Sequence, residues 1–263
     1  MVKNFIDNKN IFMCHNNVEP LKYAAQLWRD LNPEWRIWLF DNKLCREFLH
    51  KYYGDLYVKV FDYIKSGPIK ADFWRCCILY IFGGLYVDSD IEPVLPLRRL
   101  ITPHDYFISC VSHEFCHQSQ DFFMNPGLSF NPHFIYCYSG SGILRKSINI
   151  YIQKYVNKVK FEYWPWSIVE NWRKIWEMQV LGVYMKRLNT KSLKLGNRKY
   201  KFLEERQIHN LSHRKDLHAF ACIYNNEIFM WNRSLHYDAN KHVFKNSYKN
   251  IVVDKLLQKK TNC

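Results

Sequence analysis

The sequence predicts an α/β protein in which helices pack on a central sheet. Two observations carry this reading. Candidate strands and helices alternate along the first hundred residues, and the most apolar helix stops at a glycine pair that opens into a short apolar strand. "NIFMCHN" (10–16) reads as a strand, and "EPLKYAAQLWRDL" (19–31) as a helix with Pro20 in its first turn, where a missing N–H costs little. "EWRIWLFD" (34–41) alternates with the period of a strand, and a second helix is expected near 42–52. Strand, helix, strand, helix at this spacing gives βαβ units and a parallel sheet.

Pro68 opens a helix from about 69 to 82 that is apolar all round, so it should be buried rather than amphipathic. Gly83-Gly84 ends it, because glycine takes the left-handed conformation of a helix stop. "LYV" (85–87) then forms a strand that delivers Asp88-Ser89-Asp90. Further on, "HDYFISCV" (104–111) and "HFIYCYSG" (133–140) are candidate strands. "SGILRKSINIYIQKYVN" (141–157) and "SIVENWRKIWEMQVLGVYMKRL" (167–188) are candidate helices. From residue 200 the chain is mixed and aromatic and gives no clear element, and 251–263 is a basic tail. No repeat or low-complexity linker intervenes, so one domain is expected over 1–263.

Composition narrows the class. A chain of 263 residues can bury one large core, and 48% hydrophobic with 17% aromatic residues excludes a disordered protein. No apolar run reaches the roughly 18 residues of a membrane span. The first residues lack a basic stretch followed by a long apolar one. The expectation is a soluble, cytoplasmic chain without signal peptide or anchor, with peripheral membrane contact left open. Nine scattered cysteines then read as free thiols in a reducing compartment, where the sequons at 210 and 232 go unused. The net charge of +14 suits polyanions, anionic lipid headgroups or phosphorylated small molecules.

The stretch "KADFWRCCILYIFGGLYVDSDIEP" (70–93) sets Asp72, Arg75, Asp88 and Asp90 against the most apolar part of the chain. Charges in apolar surroundings cost several kcal/mol unless paired or coordinated, so this is either a buried ion-pair network or a site. Asp72 and Arg75, three apart on a helix, share a face. Asp88 and Asp90 in an extended segment point to one side, and two converging carboxylates suit Mg²⁺ or Mn²⁺ rather than zinc.

On these residues the chain resembles the DXD-containing retaining glycosyltransferases that include the yeast initiating α-1,6-mannosyltransferases, bacterial capsular-polysaccharide transferases and the clostridial glucosylating toxins. The shared pattern is Ala-Asp, an arginine three residues on, an apolar run, Gly-Gly, an aromatic, Asp-x-Asp and Pro-Leu, and "WRDLNPEWRIWLFD" (28–41) also fits it. The resemblance implies a GT-A-like fold, with a Rossmann-type mixed central sheet flanked by helices. Residues 1–100 would be the nucleotide-sugar-binding half and 101–250 the acceptor side.

It further implies that Asp90 is the main metal ligand, for Mn²⁺ or Mg²⁺. Asp88 touches hydroxyls or reaches the metal through water. Asp72 and Arg75 would hold the donor sugar, Tyr86 would sit near the nucleotide, and Ser89 would belong to the donor site. Ala71 allows close approach of the helix. His236, Asp238 and His242 are candidates for a C-terminal metal contact, with Asp238 and His242 carried forward. By the same resemblance the donor would be a nucleotide sugar, UDP-linked by preference with GDP-mannose open, and the acceptor a hydroxyl on a glycan or protein. The first strand departs from the pattern, offering His15, Asn16 and Asn17 where relatives carry an aromatic that helps to hold the base.

Other patterns compete. Cys110, His113, Cys116 and His117 have a compressed zinc-like spacing, the aromatics of 161–176 could stack an acceptor sugar, and Arg145 and Lys146 could clamp phosphate at a helix start. A basic polyanion or nucleic-acid binder and a metal-dependent nucleotidyltransferase remain the alternatives. A departing nucleoside diphosphate needs charge neutralisation rather than protonation, so the lack of a further acid/base pair fits sugar transfer.

Overall fold

The computed structural model describes residues 9–112, 129–188, 191–208, 219–232, 237–238 and 243–244. Helices pack against a ten-stranded mixed sheet. The chain begins with strand β1 (Asn10–Cys14), helix α1 (Val18–Leu31), strand β2 (Arg36–Phe40) and helix α2 (Asn42–Tyr53). β1 runs parallel to β2 and to β3 (Gly84–Val87), so the expected βαβ opening is present. Side chains start the helices: Asn17 accepts from the Glu19 N–H, and Asp41 from that of Leu44. Helix α3 (Asp55–Tyr63) was not anticipated. It follows Gly54 directly and has no side-chain cap to announce it.

Helix α4 (Gly67–Phe82) is buried from Asp72 through Leu79, as its unbroken apolar composition predicts. It ends at Gly83, whose φ of +64° is left-handed. A Cβ at this position would lie 2.6 Å from the Ser139 backbone nitrogen, so both the turn and the neighbouring chain require glycine.

The sheet order is β2-β1-β3-β6-β5-β8-β9-β10-β4, with β7 on β8. The added strands are β4 (Ile91–Pro93), β5 (Asp105–Ser112), β6 (Ser129–Cys137), β7 (Ser192–Leu195), β8 (Arg198–Ile208), β9 (Ala219–Tyr224) and β10 (Glu227–Asn232). β5 and β8 are parallel, while β6 is antiparallel to both β3 and β5, which makes the sheet mixed. Strands β11 (Tyr237–Asp238) and β12 (Val243–Phe244) form a separate pair.

Chain length forces this sheet to curl. Five strands separate β3 from β4 in the sheet order, which in a flat sheet is about 29 Å at about 4.8 Å per strand. The chain covers the gap with residues 88–90, whose reach from Val87 to Ile91 is at most about 14 Å. The last strand therefore folds back toward β3, and the Asp88-Ser89-Asp90 turn closes the seam. One apolar cluster joins α1 to inward residues such as Leu85, Ile108, Phe134 and Leu203. A second joins α4, helix α5 (Gly142–Val156) and helix α7 (Ile168–Arg173) to the opposite face. Trp28 of α1 and Asn32, just past its end, hold the chain after the seam, Trp28 donating to the Ile91 carbonyl at 3.0 Å and Asn32 accepting from the Leu97 N–H at 2.7 Å.

The long helix expected over 167–188 is broken. Helix α6 (Tyr163–Trp166) precedes α7, which starts at Ser167 with the S-x-x-E pattern of a capped helix. Helix α8 (Trp176–Leu188) follows after Lys174. Burial of Trp166, Trp172 and Ile175 sets these short pieces against the sheet.

Candidate active site

Asp72, Arg75 and Asp88 meet at the carboxyl end of β3, with Asp90 two residues further along the chain. Asp72 and Arg75 share a face of α4, with Arg75 Nη2 3.3 Å from Asp72 Oδ1 and 3.1 Å from Asp88 Oδ1. Arg75 Nη1 donates to the Pro132 carbonyl at 2.7 Å, and its guanidinium lies 4.2 Å from the Tyr86 ring centre. Burial opposes the arginine's charge, but Asp88, Tyr86 and Asp72 outweigh it and hold the guanidinium protonated. The ion-pair network and the candidate site are one object.

Asp72 is buried and turns its other oxygen to the Ile168 N–H at 3.0 Å, so it ties α4 to the start of α7. Burial raises its carboxyl to about 6, against the opposing pull of Arg75 and that N–H. Tyr86, expected near the nucleotide, is fully buried. Its hydroxyl donates to Asp88 Oδ1 at 2.7 Å and its ring supports Arg75. Ala71 offers its carbonyl to Arg75 Nε at 3.3 Å.

Asp88 and Asp90 do not lie on an extended segment. The strand ends at Val87, the Asp88 N–H reaches the His133 carbonyl, and the Ile91 N–H closes a turn on the Asp88 carbonyl at 3.2 Å. The turn leaves the Asp88 side chain about one-third exposed, with Ser89 half-buried and Asp90 8% exposed. Burial first, and then the charge of Asp88, push the Asp90 carboxyl up to about 7, with His133 pulling the other way.

His133 and Glu205, with Asn131 and Asn232 around them, had no signal in the sequence. His133 Nε2 is 3.2 Å from Glu205 Oε1, and the amides of Asn131 and Asn232 donate to the same carboxylate at 2.7 and 2.5 Å. Burial disfavours both charges, yet each partner favours the other: His133 is shifted up, with Cys222 contributing, and Glu205 down. These residues sit on β6, β8 and β10, and Asn232 pairs in register with Ile91, the residue after Asp90. Only the curl of the sheet brings such distant positions to one carboxylate.

The remaining candidates scatter. Asp238 lies on β11, and His236 and His242 fall outside the described residues, as do His113, Cys116 and His117. Lys146 is paired with Glu177 at 2.6 Å and Arg145 is exposed on α5. Trp166 and Trp172 are core, whereas Trp164 and Trp176 are exposed. His15 stands at the carboxyl end of β1, and Asn17 caps α1. Every described cysteine is a free thiol, and among the described residues no helix is long and apolar enough to cross a membrane.

Residues 19–108, which span α1 through the first half of β5, match the family described as the glycosyltransferase sugar-binding region containing the DXD motif. The match covers 90 of the 263 residues, about a third of the chain. The DXD is Asp88-Ser89-Asp90, and the Asp72–Arg75–Asp88 network lies inside the matched region. The initiation-specific alpha-1,6-mannosyltransferase of Candida albicans is 31% identical over 84 residues, 31% of this chain and 22% of the relative. A glycosyltransferase of Acanthamoeba polyphaga mimivirus is 40% identical over 52 residues, 20% of this chain and 21% of the relative. The chain thus spans about a fifth of the length of these curated relatives.

Among solved structures, the PaToxG glycosyltransferase aligns with a TM-score of 0.41 at 14% identity, covering 68% of this chain and 69% of its own. The galactosyltransferase LgtC, solved with donor and acceptor sugar analogues, also gives 0.41, at 12% identity over 73% of this chain and 86% of its own.

Proposed function

We propose that the chain is one transferase domain that moves a sugar from a nucleotide donor to a hydroxyl acceptor on a glycan or protein, with retention of configuration and with a divalent cation bound at the DXD turn. The observation that carries this reading is the arrangement of the turn. It lies at the carboxyl end of a strand parallel to β1, where open α/β sheets bind nucleotides, and it holds one partly open and one buried carboxylate.

The donor set fits a hard cation. Asp90 and Asp88 supply carboxylate oxygens, and the raised pKa of Asp90 marks a buried charge that a cation would relieve. Asp90 would hold Mn²⁺ or Mg²⁺, with Asp88 beside it or reaching it through water. The ion would act as a Lewis acid toward the departing nucleoside diphosphate, which makes a protein general acid unnecessary. Arg75 fixes Asp88 through one guanidinium edge and the Pro132 carbonyl through another, so the carboxylate is oriented before donor arrives. Tyr86 holds the same oxygen from the other side. Asp72 sets Arg75 and, through Ile168, the position of α7, and these contacts support reading both as holding the donor site in shape. Ser89, half-buried between the two acids, is placed to meet donor hydroxyls. UDP-sugars are the first donors to test and GDP-mannose the next.

The test is release of nucleoside diphosphate from a panel of UDP- and GDP-sugars, with and without Mn²⁺. One donor should be consumed in a Mn²⁺-dependent way, and Asp90→Asn should lower its turnover at least about 100-fold. Consumption of no donor, alongside binding of oligonucleotide or heparin that falls steeply with salt, would replace this reading with a polyanion binder.

A further inference from the structure

Next to the DXD turn, the curled sheet gathers a second set of metal-ligating side chains. Cys110 from β5, His133 from β6 and Cys222 from β9 are all buried, and one ligand atom from each lies within 4.8 Å of the others. Cys222 Sγ is 3.8 Å from His133 Nε2, and Glu205 Oε1 is 3.2 Å from the same nitrogen. A tetrahedral zinc ion, with bonds of about 2.3 Å to sulfur and about 2.0 Å to nitrogen and oxygen, sets its sulfur and nitrogen ligands about 3.6 Å apart and its nitrogen and oxygen ligands about 3.3 Å apart. The Cys222–His133 separation is already close to the sulfur–nitrogen value.

Ordinary packing explains the cluster less well. Two thiols can fill a core as small apolar groups, and a histidine can pair with a glutamate. That account gives no reason for two thiols and an imidazole from three strands to converge within 4.8 Å. We propose that Cys110, Cys222 and His133 form a site for a thiophilic divalent cation, zinc first among them, with Glu205 beside the histidine.

Ligand softness separates this site from the DXD: thiolate and imidazole select zinc, and paired carboxylates select Mg²⁺ or Mn²⁺. Asn131 and Asn232, which hold Glu205, are its outer supports. Binding would release the protons of both thiols to solvent and pin β5, β6 and β9 where the sheet folds back toward Asp90. The ligand partners of Cys110 among the described residues are thus remote in sequence. The proposal does not depend on the transferase reading.

The experiment uses the full chain, purified with reductant from zinc-supplemented medium, assayed for bound zinc, then stripped and reloaded with Co²⁺. About one zinc per chain is expected, and the cobalt form should show thiolate-to-cobalt charge-transfer bands with tetrahedral visible bands. Cys110→Ser and Cys222→Ser should each reduce those bands several-fold, while Asp90→Asn leaves them in place. The first two measurements need only the unaltered protein, so a variant that misfolds does not remove the test. Wild-type protein that is folded, holds less than about a tenth of an equivalent of zinc and shows no thiolate–cobalt bands would overturn the proposal. Bands that survive the double cysteine variant, or vanish with Asp90→Asn, would do the same.

Discussion

Arg75 Nη2 lies 3.1 Å from Asp88 Oδ1, and through this ion pair the buried helix α4 fixes the turn that closes the sheet. Arg75 also faces Asp72, the Pro132 carbonyl and the Tyr86 ring, so its loss strands two carboxylates at once. Arg75→Met should destabilise the fold by about 3–5 kcal/mol, because removing one partner of a buried pair leaves an uncompensated charge. Arg75→Lys keeps the charge but loses the planar fork, and should recover only part of that stability. Urea unfolding of the three proteins at pH 7.5 measures this.

Tyr86→Phe removes a single hydroxyl, the donor to Asp88 Oδ1, and leaves the ring under Arg75. A hydrogen bond to a charged group contributes about 1.5–3 kcal/mol. If Tyr86 orients Asp88 for donor, turnover should fall roughly 10-fold or more while the circular dichroism spectrum stays unchanged. Steady-state kinetics with the donor found in the panel checks the prediction.

The pH dependence of stability follows from Asp90. Its carboxyl is raised to about 7 in the fold, above the ordinary carboxylate value it has when unfolded. The folded state therefore binds more protons than the unfolded state between about pH 4 and 7. This group's share of stability is largest below about pH 4, falls as pH rises, and is lowest above about pH 7. Metal-free Asp90→Asn should then be more stable than the parent at pH 8, by roughly 1–3 kcal/mol, with the difference vanishing toward pH 4. Mn²⁺ takes the place of the proton, so its stabilisation of the parent should be small at pH 5.5 and large at pH 8. Thermal melts across that range, with and without Mn²⁺, read both effects.

Gly83→Ala tests the link between helix stop and strand start. The left-handed φ and a Cβ 2.6 Å from the Ser139 backbone leave no room to relax, because the obstruction is main chain. A loss of about 2–4 kcal/mol is expected from strain and steric shift together. Urea unfolding checks it, and a loss below about 0.5 kcal/mol would contradict the close approach of α4 and β6.

Apart from α3, the first hundred residues are legible because their signals are local. Pro68, the unbroken apolar run and Gly83 mark α4 within the sequence itself, and Asp72 and Arg75 share a face by helical spacing alone. The DXD was found for a partly mistaken reason: its acids meet through a hydrogen-bonded turn, not through strand alternation. His133, Glu205 and Asn232 were hidden because what unites them is the curl of the sheet, and no spacing in the chain encodes that closure. Tyr86 was assigned to the nucleotide when burial gives it the support of Arg75 and Asp88. The break between α7 and α8 also lacks a local cause, since no glycine or proline stands at 174–175 and the packing of Trp172 and Ile175 decides it.

The measurement that bears most directly on the central claim is calorimetric titration of UDP and of GDP into the parent and Asp90→Asn proteins, each with and without Mn²⁺. One nucleotide should bind the parent at least about 10-fold more tightly with Mn²⁺ than without, and Asp90→Asn should erase that difference. Equal binding with and without Mn²⁺, or a metal effect that persists in Asp90→Asn, would contradict a cation-assisted donor site at the DXD turn.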